Sequence, residues 1–498
     1  MKPICLPGSK PALSLFPHQV KSYDWCDVRR RIALFMEMRL GKTRVTIAWA
    51  NRVGAKRILV VAPLSVLGSW RDELKMVGEP TPYTARPPHT PATHTQLVKH
   101  KWVLINYESL RTSPGILAFD WDAVVLDEST CIKNPKAQIT KVFNGGTITR
   151  AIRKRRRARK PKSAGNPRIK LKVPKQTERV RMEGCHATYR AVLSGLPGPE
   201  GPMDYFEQLR FLYGGMCSCR NFWAFRERYF IADAKGWDFV PRPGTREAIK
   251  TELHEKAFVM SRKEAGIGER KVYETRTVEL NPALRRIYNK AEKEFVIEYG
   301  TKVKETNWPM VLNLWLGRMA GGFVDTDLVS PHKLDELCEL VSGELKEEQI
   351  VVWCRFNAEI DHIKKRLDAL NITNRIIIGK TKDTERDVIR KAFMDGKVRI
   401  IVCQIKCAKY GIDLSAADTA IYFSNSYSLE ERAQSEDRIV HPAKRVPLLY
   451  VDLIAEETVD ADVIGALREK HTDSKFFLQA LVKNFAARIA AAAKMKRG

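Results

Sequence analysis

Two short motifs carry residues whose types and spacing could act together. They are Gly41-Lys42-Thr43 and, 85 residues further on, Asp127-Glu128. A glycine, a lysine and a hydroxyl at the start of a helix suit a polyphosphate. Backbone N–H groups there point at the anion, and the helix dipole favours its charge. Lys42 would neutralise β- and γ-phosphates, and Thr43 would hold Mg2+ through its hydroxyl. The strict phosphate-loop pattern asks for glycine five positions before Gly41, and Met36 stands there. For this segment alone, an ordinary strand-to-helix turn is the alternative. Asp127 can bind Mg2+ through a water, while Glu128 can orient and deprotonate an attacking water. The alternative here is a pair of solvated acids after a strand. Together the motifs point to ATP and Mg2+, with Arg39, Leu40, Gly41, Lys42, Thr43 and Arg44 as nucleotide contacts and Thr43 and Asp127 as metal contacts.

These motifs need strand ends to hold them. Ile32 to Met36 precedes the loop, and Val45, Ile47 and Ala48 begin a helix after it. Short apolar runs at 58–62, 102–105, 123–126 and 191–193 read as strands buried on both faces, hence parallel. A second series lies at 350–353, 375–378, 400–402, 420–423 and 448–451. The spacing predicts an α/β chain of two parallel-sheet lobes with a helical insertion and a basic loop insertion. The expected boundaries are 1–202 for lobe 1, 203–325 for a helical insertion and linker, 326–470 for lobe 2 and 471–498 for a basic tail. Aromatics crowd the start of the helical stretch, from Tyr205 to Tyr229, and core packing is preferred over base stacking for them.

The chain has 498 residues and 86 Lys plus Arg against 58 Asp plus Glu, a net charge of +28. That excess favours a polyanionic partner. No apolar run approaches the roughly 20 residues needed to cross a bilayer, so nucleic acid is preferred over membrane. The ten cysteines show no zinc-like spacing and read as reduced thiols. Arg150 to Lys162 is almost wholly Lys and Arg, inside an expected insertion at about 143–186. A phosphate-binding arm, a solvated loop and a nuclear-import signal are the readings of it.

Further motifs place the sequence beside a known family. Phe16-Pro17-His18-Gln19, Glu37 to Thr43, Ala62-Pro63-Leu64-Ser65 with Trp70 and Glu73, and Asn106-Tyr107-Glu108 occur in order. Asp127-Glu128-Ser129-Thr130 with Ile132-Lys133-Asn134, and Ser194-Gly195-Leu196-Pro197, follow. Gly411-Ile412-Asp413-Leu414 and Gln434-Ser435-Glu436-Asp437-Arg438 complete the set. The chain resembles the Swi/Snf-type DNA translocases of helicase superfamily 2. The resemblance covers roughly Leu15 to Leu467 and implies two RecA-like lobes with ATP at their interface. It implies that Gln19 contacts adenine, that Gly411, Asp413 and Gln434 contact the nucleotide from lobe 2, and that Arg438 is an arginine finger. Three positions depart from the family pattern. Arg39 replaces a glycine in the phosphate loop, Thr130 replaces a histidine, and His441 stands where a second finger is expected.

The resemblance implies ATP-dependent translocation on double-stranded DNA without strand separation, by a monomer. A strand-separating DNA or RNA helicase is the second reading, and an ATP-gated DNA scaffold the third. Compactness around the motor suggests a bacterial or viral origin and a cytoplasmic or nucleoid location, or a nuclear one in a eukaryote.

Overall fold

The computed structural model describes residues 4–5, 14–27, 29–87, 91–151, 177–232, 239–267, 271–299, 302–306, 308–441, 444 and 446–469. The core of the basic insertion and the C-terminal tail, both singled out above, lie outside these residues.

Both lobes are built on strands of two to eight residues whose successive side chains face opposite sides of the sheet. In the first lobe these strands are β1 (Arg31–Met36), β2 (Ile58–Ala62), β3 (Tyr83–Thr84), β4 (Trp102–Asn106) and β5 (Ala123–Asp127). An antiparallel hairpin, β6 (Gly146–Ala151) and β7 (Thr177–Met182), flanks the basic insertion. The lobe then adds β8 (Tyr189–Ser194) and β9 (Ala257–Met260). The resulting seven-stranded sheet is parallel throughout, in the order β9-β1-β8-β5-β2-β4-β3. Its two faces are read off one strand. Ala33 and Phe35 enter the core on one side, and Ile32, Leu34 and Met36 the core on the other. This is the period of two that a doubly covered strand requires.

The second lobe repeats the plan with β10 (Lys271–Val278), β11 (Ile350–Cys354), β12 (Asn374–Ile377), β13 (Ile400–Gln404), β14 (Thr419–Tyr422) and β15 (Leu448–Ala455). They form a six-stranded parallel sheet in the order β10-β15-β14-β11-β13-β12. Val351 and Trp353 face one core, and Ile350, Val352 and Cys354 the other. The expected pair of α/β lobes is therefore present.

The segment 203–325, expected as a helical insertion and interlobe linker, divides its packing between the two lobes. Its strand β9 completes the edge of the first sheet beside β1, and β10 just beyond it pairs along eight residues with β15. The helices Tyr205–Tyr213 and Phe222–Tyr229 pack Tyr205, Phe206, Phe211 and Phe225 into the first lobe's core. The helices Pro282–Glu294 and Pro309–Ala320 form a separate core with Ala455 and Val459 of the second lobe. The physical reason is burial. Neither helical pair covers its own apolar face, and each finds that cover on the nearer sheet.

Candidate nucleotide site between the lobes

Parallel pairing in register brings the ends of the first lobe's strands to one level. Ser194 pairs with Phe35, Leu193 with Asp127, and Val61 with Leu126. The loops after β1, β2, β4 and β5 consequently open onto one crevice, the expected ligand position in an open α/β sheet. Met38, Arg39, Gly41, Lys42, Thr43, Ser65, Asn106, Tyr107, Asp127 and Glu128 line it from lobe 1. Gly411, Asp413, Glu430, Gln434, Asp437 and Arg438 line it from lobe 2. The cavity holds about 730 Å³.

Gly41 begins the helix Lys42–Arg52 in the left-handed conformation, φ 77°. Close beneath it lies Gln19, whose amide nitrogen donates to the Leu40 carbonyl at 3.3 Å and whose oxygen accepts the Phe16 N–H at 3.0 Å. The Lys42 ammonium donates to the carbonyls of Met36 at 2.9 Å and Glu37 at 3.3 Å. Burial lowers its pKa, opposed by Glu128 and Asp127.

The two acids are held differently. Asp127 accepts the indole N–H of Trp70 at 2.8 Å and the Glu128 N–H at 2.9 Å. Tyr107 donates its hydroxyl to the Asp127 carbonyl at 2.8 Å. Glu128 has a left-handed backbone, φ 49°, which turns its side chain away from the strand's own line. Burial, then its neighbour Asp127, pushes the Glu128 carboxyl up to about 7, against the pull of Lys42. Burial also raises Asp127. Two adjacent carboxylates, Asp127 buried and Glu128 half-buried, are a site of negative charge that a divalent cation relieves. Among the described residues no group of three or more His, Cys, Asp or Glu side chains could hold a metal. A hydroxyl and one carboxylate beside phosphate oxygens fit Mg2+, which keeps waters and takes few protein ligands.

From the second lobe, Arg438 is tied to its own helix end by Nε donating to the Gln434 carbonyl at 2.9 Å. Burial lowers its pKa, and Arg39 lowers it further. Asp437 pairs with the buried Arg262, and Glu436 with Lys271 at 3.1 Å. Arg262 follows β9, so this contact fastens the first sheet's edge to the second lobe. Thr130 meets Glu430 across the crevice at 3.3 Å, and Glu430 also accepts from Gln434 at 3.2 Å.

The crevice thus brings together Arg39, Gly41, Lys42, Thr43, Asp127, Glu128, Gly411, Asp413, Gln434 and Arg438. It does not gather three other expected nucleotide contacts. Gln19 sits behind the loop with both amide ends bonded to backbone. Leu40 is wholly buried. Arg44 turns to Glu73 of the helix Val66–Met76. The phosphate loop faces the crevice with one side only, and these residues occupy the other. His441 is exposed outside the lining set. Sequence reasoning passed over Glu430, Asp437 and Arg262. For Asp437 the signal was present, since it lies inside the quoted Gln434–Arg438 motif.

Comparison with known proteins agrees with this geometry. The SNF2-related domain family matches residues 18–157, and the helicase conserved C-terminal domain family matches residues 332–442. The chain is 23% identical over 457 residues to SWI/SNF-related matrix-associated actin-dependent regulator of chromatin subfamily A-like protein 1 of Drosophila melanogaster, covering 88% of this chain and 52% of that protein. It is 21% identical over 489 residues to putative protein p41 of Acyrthosiphon pisum secondary endosymbiont phage 1, covering 91% and 95% respectively. A Sulfolobus solfataricus SWI2/SNF2 ATPase core solved in complex with dsDNA is 20% identical, with a TM-score of 0.41 over 93% of this chain and 94% of that one. The chain spans about half the length of the Drosophila relative, and 20% and 6% of the plant and mouse relatives that match shorter stretches. The two family regions together cover half of the chain and contribute the two walls of the crevice, and the chain belongs to the Swi/Snf family of superfamily 2 helicases, as an SNF2-related ATPase with a helicase C-terminal domain.

Proposed function

We propose that the chain hydrolyses ATP between its lobes and uses the cycle to move along double-stranded DNA. The observation that carries this reading is the shared crevice, with Lys42, Thr43, Asp127 and Glu128 on one wall and Gln434 and Arg438 on the other. Lys42 would exchange the Met36 and Glu37 carbonyls for phosphate oxygens. Thr43 and Asp127 would hold Mg2+, which neutralises charge on the phosphates when bound. Glu128 takes a proton from the attacking water as its oxygen bonds to the γ-phosphorus. The bond to the bridging oxygen then breaks, giving ADP and phosphate. Arg438 stabilises the charge of that transition state from the opposite lobe, so turnover requires closed lobes. The +28 charge supplies the attraction to a polyanion.

The test is ATPase activity of the purified chain with double-stranded DNA, single-stranded DNA and RNA. Double-stranded DNA should stimulate most. No stimulation by duplex overturns the reading, and strong displacement of a labelled strand replaces translocation with unwinding.

A further inference from the structure

Arg39 occupies a phosphate-loop position with φ 64°, a left-handed conformation that residues other than glycine seldom adopt. Its side chain leaves the loop and crosses to the other lobe. One guanidinium nitrogen donates to Asp413 at 3.0 Å and to the Arg438 carbonyl at 3.3 Å. That carbonyl also accepts the Leu414 N–H at 3.0 Å, and Asp413 accepts the Ser415 N–H at 3.3 Å. Arg39 and Asp413 lie in the crevice lining, with Lys42 and Arg438. The pair is only partly covered, with Arg39 22% and Asp413 40% exposed, so an entering anion can reach it.

We propose that Arg39 is a latch that exchanges partners: it binds Asp413 when the crevice holds no nucleotide and transfers its guanidinium to the terminal phosphate of a nucleoside triphosphate. The inference rests on the nucleotide reading of the crevice and deepens it. A terminal phosphate carries more charge than a carboxylate and offers oxygens for two parallel N–H bonds, so it outcompetes Asp413 for the same guanidinium. A diphosphate lacks that group and leaves the latch on Asp413. The bridge between the lobes then runs through phosphate in one state and through Asp413 in the other. Arg39 thereby reports to lobe 2 which nucleotide lobe 1 holds. It stands on the opposite wall from Arg438, so two guanidinium groups would converge on the transferred group from two lobes.

Binding of a fluorescent non-hydrolysable triphosphate and of the matching diphosphate, measured on the full chain, tests this. Arg39→Gly keeps the loop conformation, because glycine adopts positive φ without strain. It should weaken the triphosphate by at least about tenfold, the loss of one charge-assisted contact, with little change for the diphosphate. Asp413→Asn removes the competing charge but keeps an acceptor for Ser415. It should tighten the triphosphate several-fold, and that gain should vanish in the Arg39→Gly background. A tie that only braces the lobes behaves otherwise: both single variants weaken both nucleotides alike, which overturns the latch. If the unaltered chain binds neither nucleotide, the nucleotide reading itself falls, and the latch with it.

Discussion

Gly41 shows how backbone and side-chain demands converge on one position. Its φ is 77°, and a Cβ there would come 2.0 Å from the Gln19 amide nitrogen. Gly41→Ala should therefore cost about 1–3 kcal/mol of stability and displace the amide that braces Leu40. Thermal unfolding and nucleotide titration of the variant measure both effects, and an unchanged affinity would show that the loop tolerates the shift. Glu128 makes a different demand. Glu128→Gln keeps shape but cannot accept a proton, so turnover should fall by about 10²- to 10⁴-fold while nucleotide binding persists. Equal loss of binding would assign Glu128 to holding the ligand. These residues were legible because each motif is local: a handful of neighbours and a strand end suffice to recognise it. Arg39 with Asp413, and Arg262 with Asp437, were not legible as pairs. They lie 374 and 175 residues apart, and no spacing rule links positions on separate lobes.

At the scale of elements, the central strands and the edge strand β12 announced themselves, and the edges β3, β9 and β10 did not. Val124 and Val125 sit in runs apolar on both faces, whereas β10 alternates Lys271, Tyr273 and Thr275 with Val272, Glu274 and Arg276 and is covered less completely. Its partner β15 supplies the hydrogen bonds that define it, and the partner is 177 residues away in register. The short run Ala257–Met260 directly follows the helix Thr245–Lys256 and is a strand by docking beside β1. Helix ends carry information of a different kind. Glu359, in the first turn of the helix Asn357–Ala369, accepts the N–H groups of Phe356 at 3.0 Å and Arg355 at 3.2 Å and the Ser424 hydroxyl. Burial raises its carboxyl from 4.5 to about 7, although the Ser424 and Phe356 hydrogen bonds oppose this. Between these two values the folded chain holds a proton that the unfolded chain releases, so stability is greatest below about 4.5 and is lost as pH rises through about 7. The shift corresponds to about 3 kcal/mol. Glu359→Gln, neutral at every pH, should be more stable than the parent at pH 8 and near parity at pH 5, as read by denaturant unfolding. A difference independent of pH would place the effect in packing.

At the scale of the whole molecule, the lobes are joined by polar ties and by an apolar contact in which Leu196 of the first lobe packs against Leu429, Ile454 and Val463 of the second. Arg39 with Asp413, Arg262 with Asp437 and Thr130 with Glu430 cross the crevice, while each sheet keeps its own pair of cores. Polar ties of this kind exchange partners without unfolding either lobe, as a cycle of closing and opening requires. The positive charge of the chain is distributed differently. Nine of the 13 residues from Arg150 to Lys162 are Lys or Arg, and no acid occurs between Glu128 and Glu178. The described hairpin β6–β7 presents this segment from lobe 1, next to the helix Gln138–Asn144 that packs against β6. If its cations sit on phosphates, each contact releases condensed counterions and adds about 0.9 to the salt slope of duplex binding. Deleting residues 152–162 should then weaken duplex binding most at low salt and reduce that slope by several. Nucleotide affinity without DNA should stay unchanged, because the described lining of the crevice comes from the motif loops of the two lobes. Binding titrations across a salt series, with the nucleotide titration as control, separate the outcomes. An unchanged slope makes the segment a solvated loop and assigns the duplex contacts to the folded lobes themselves.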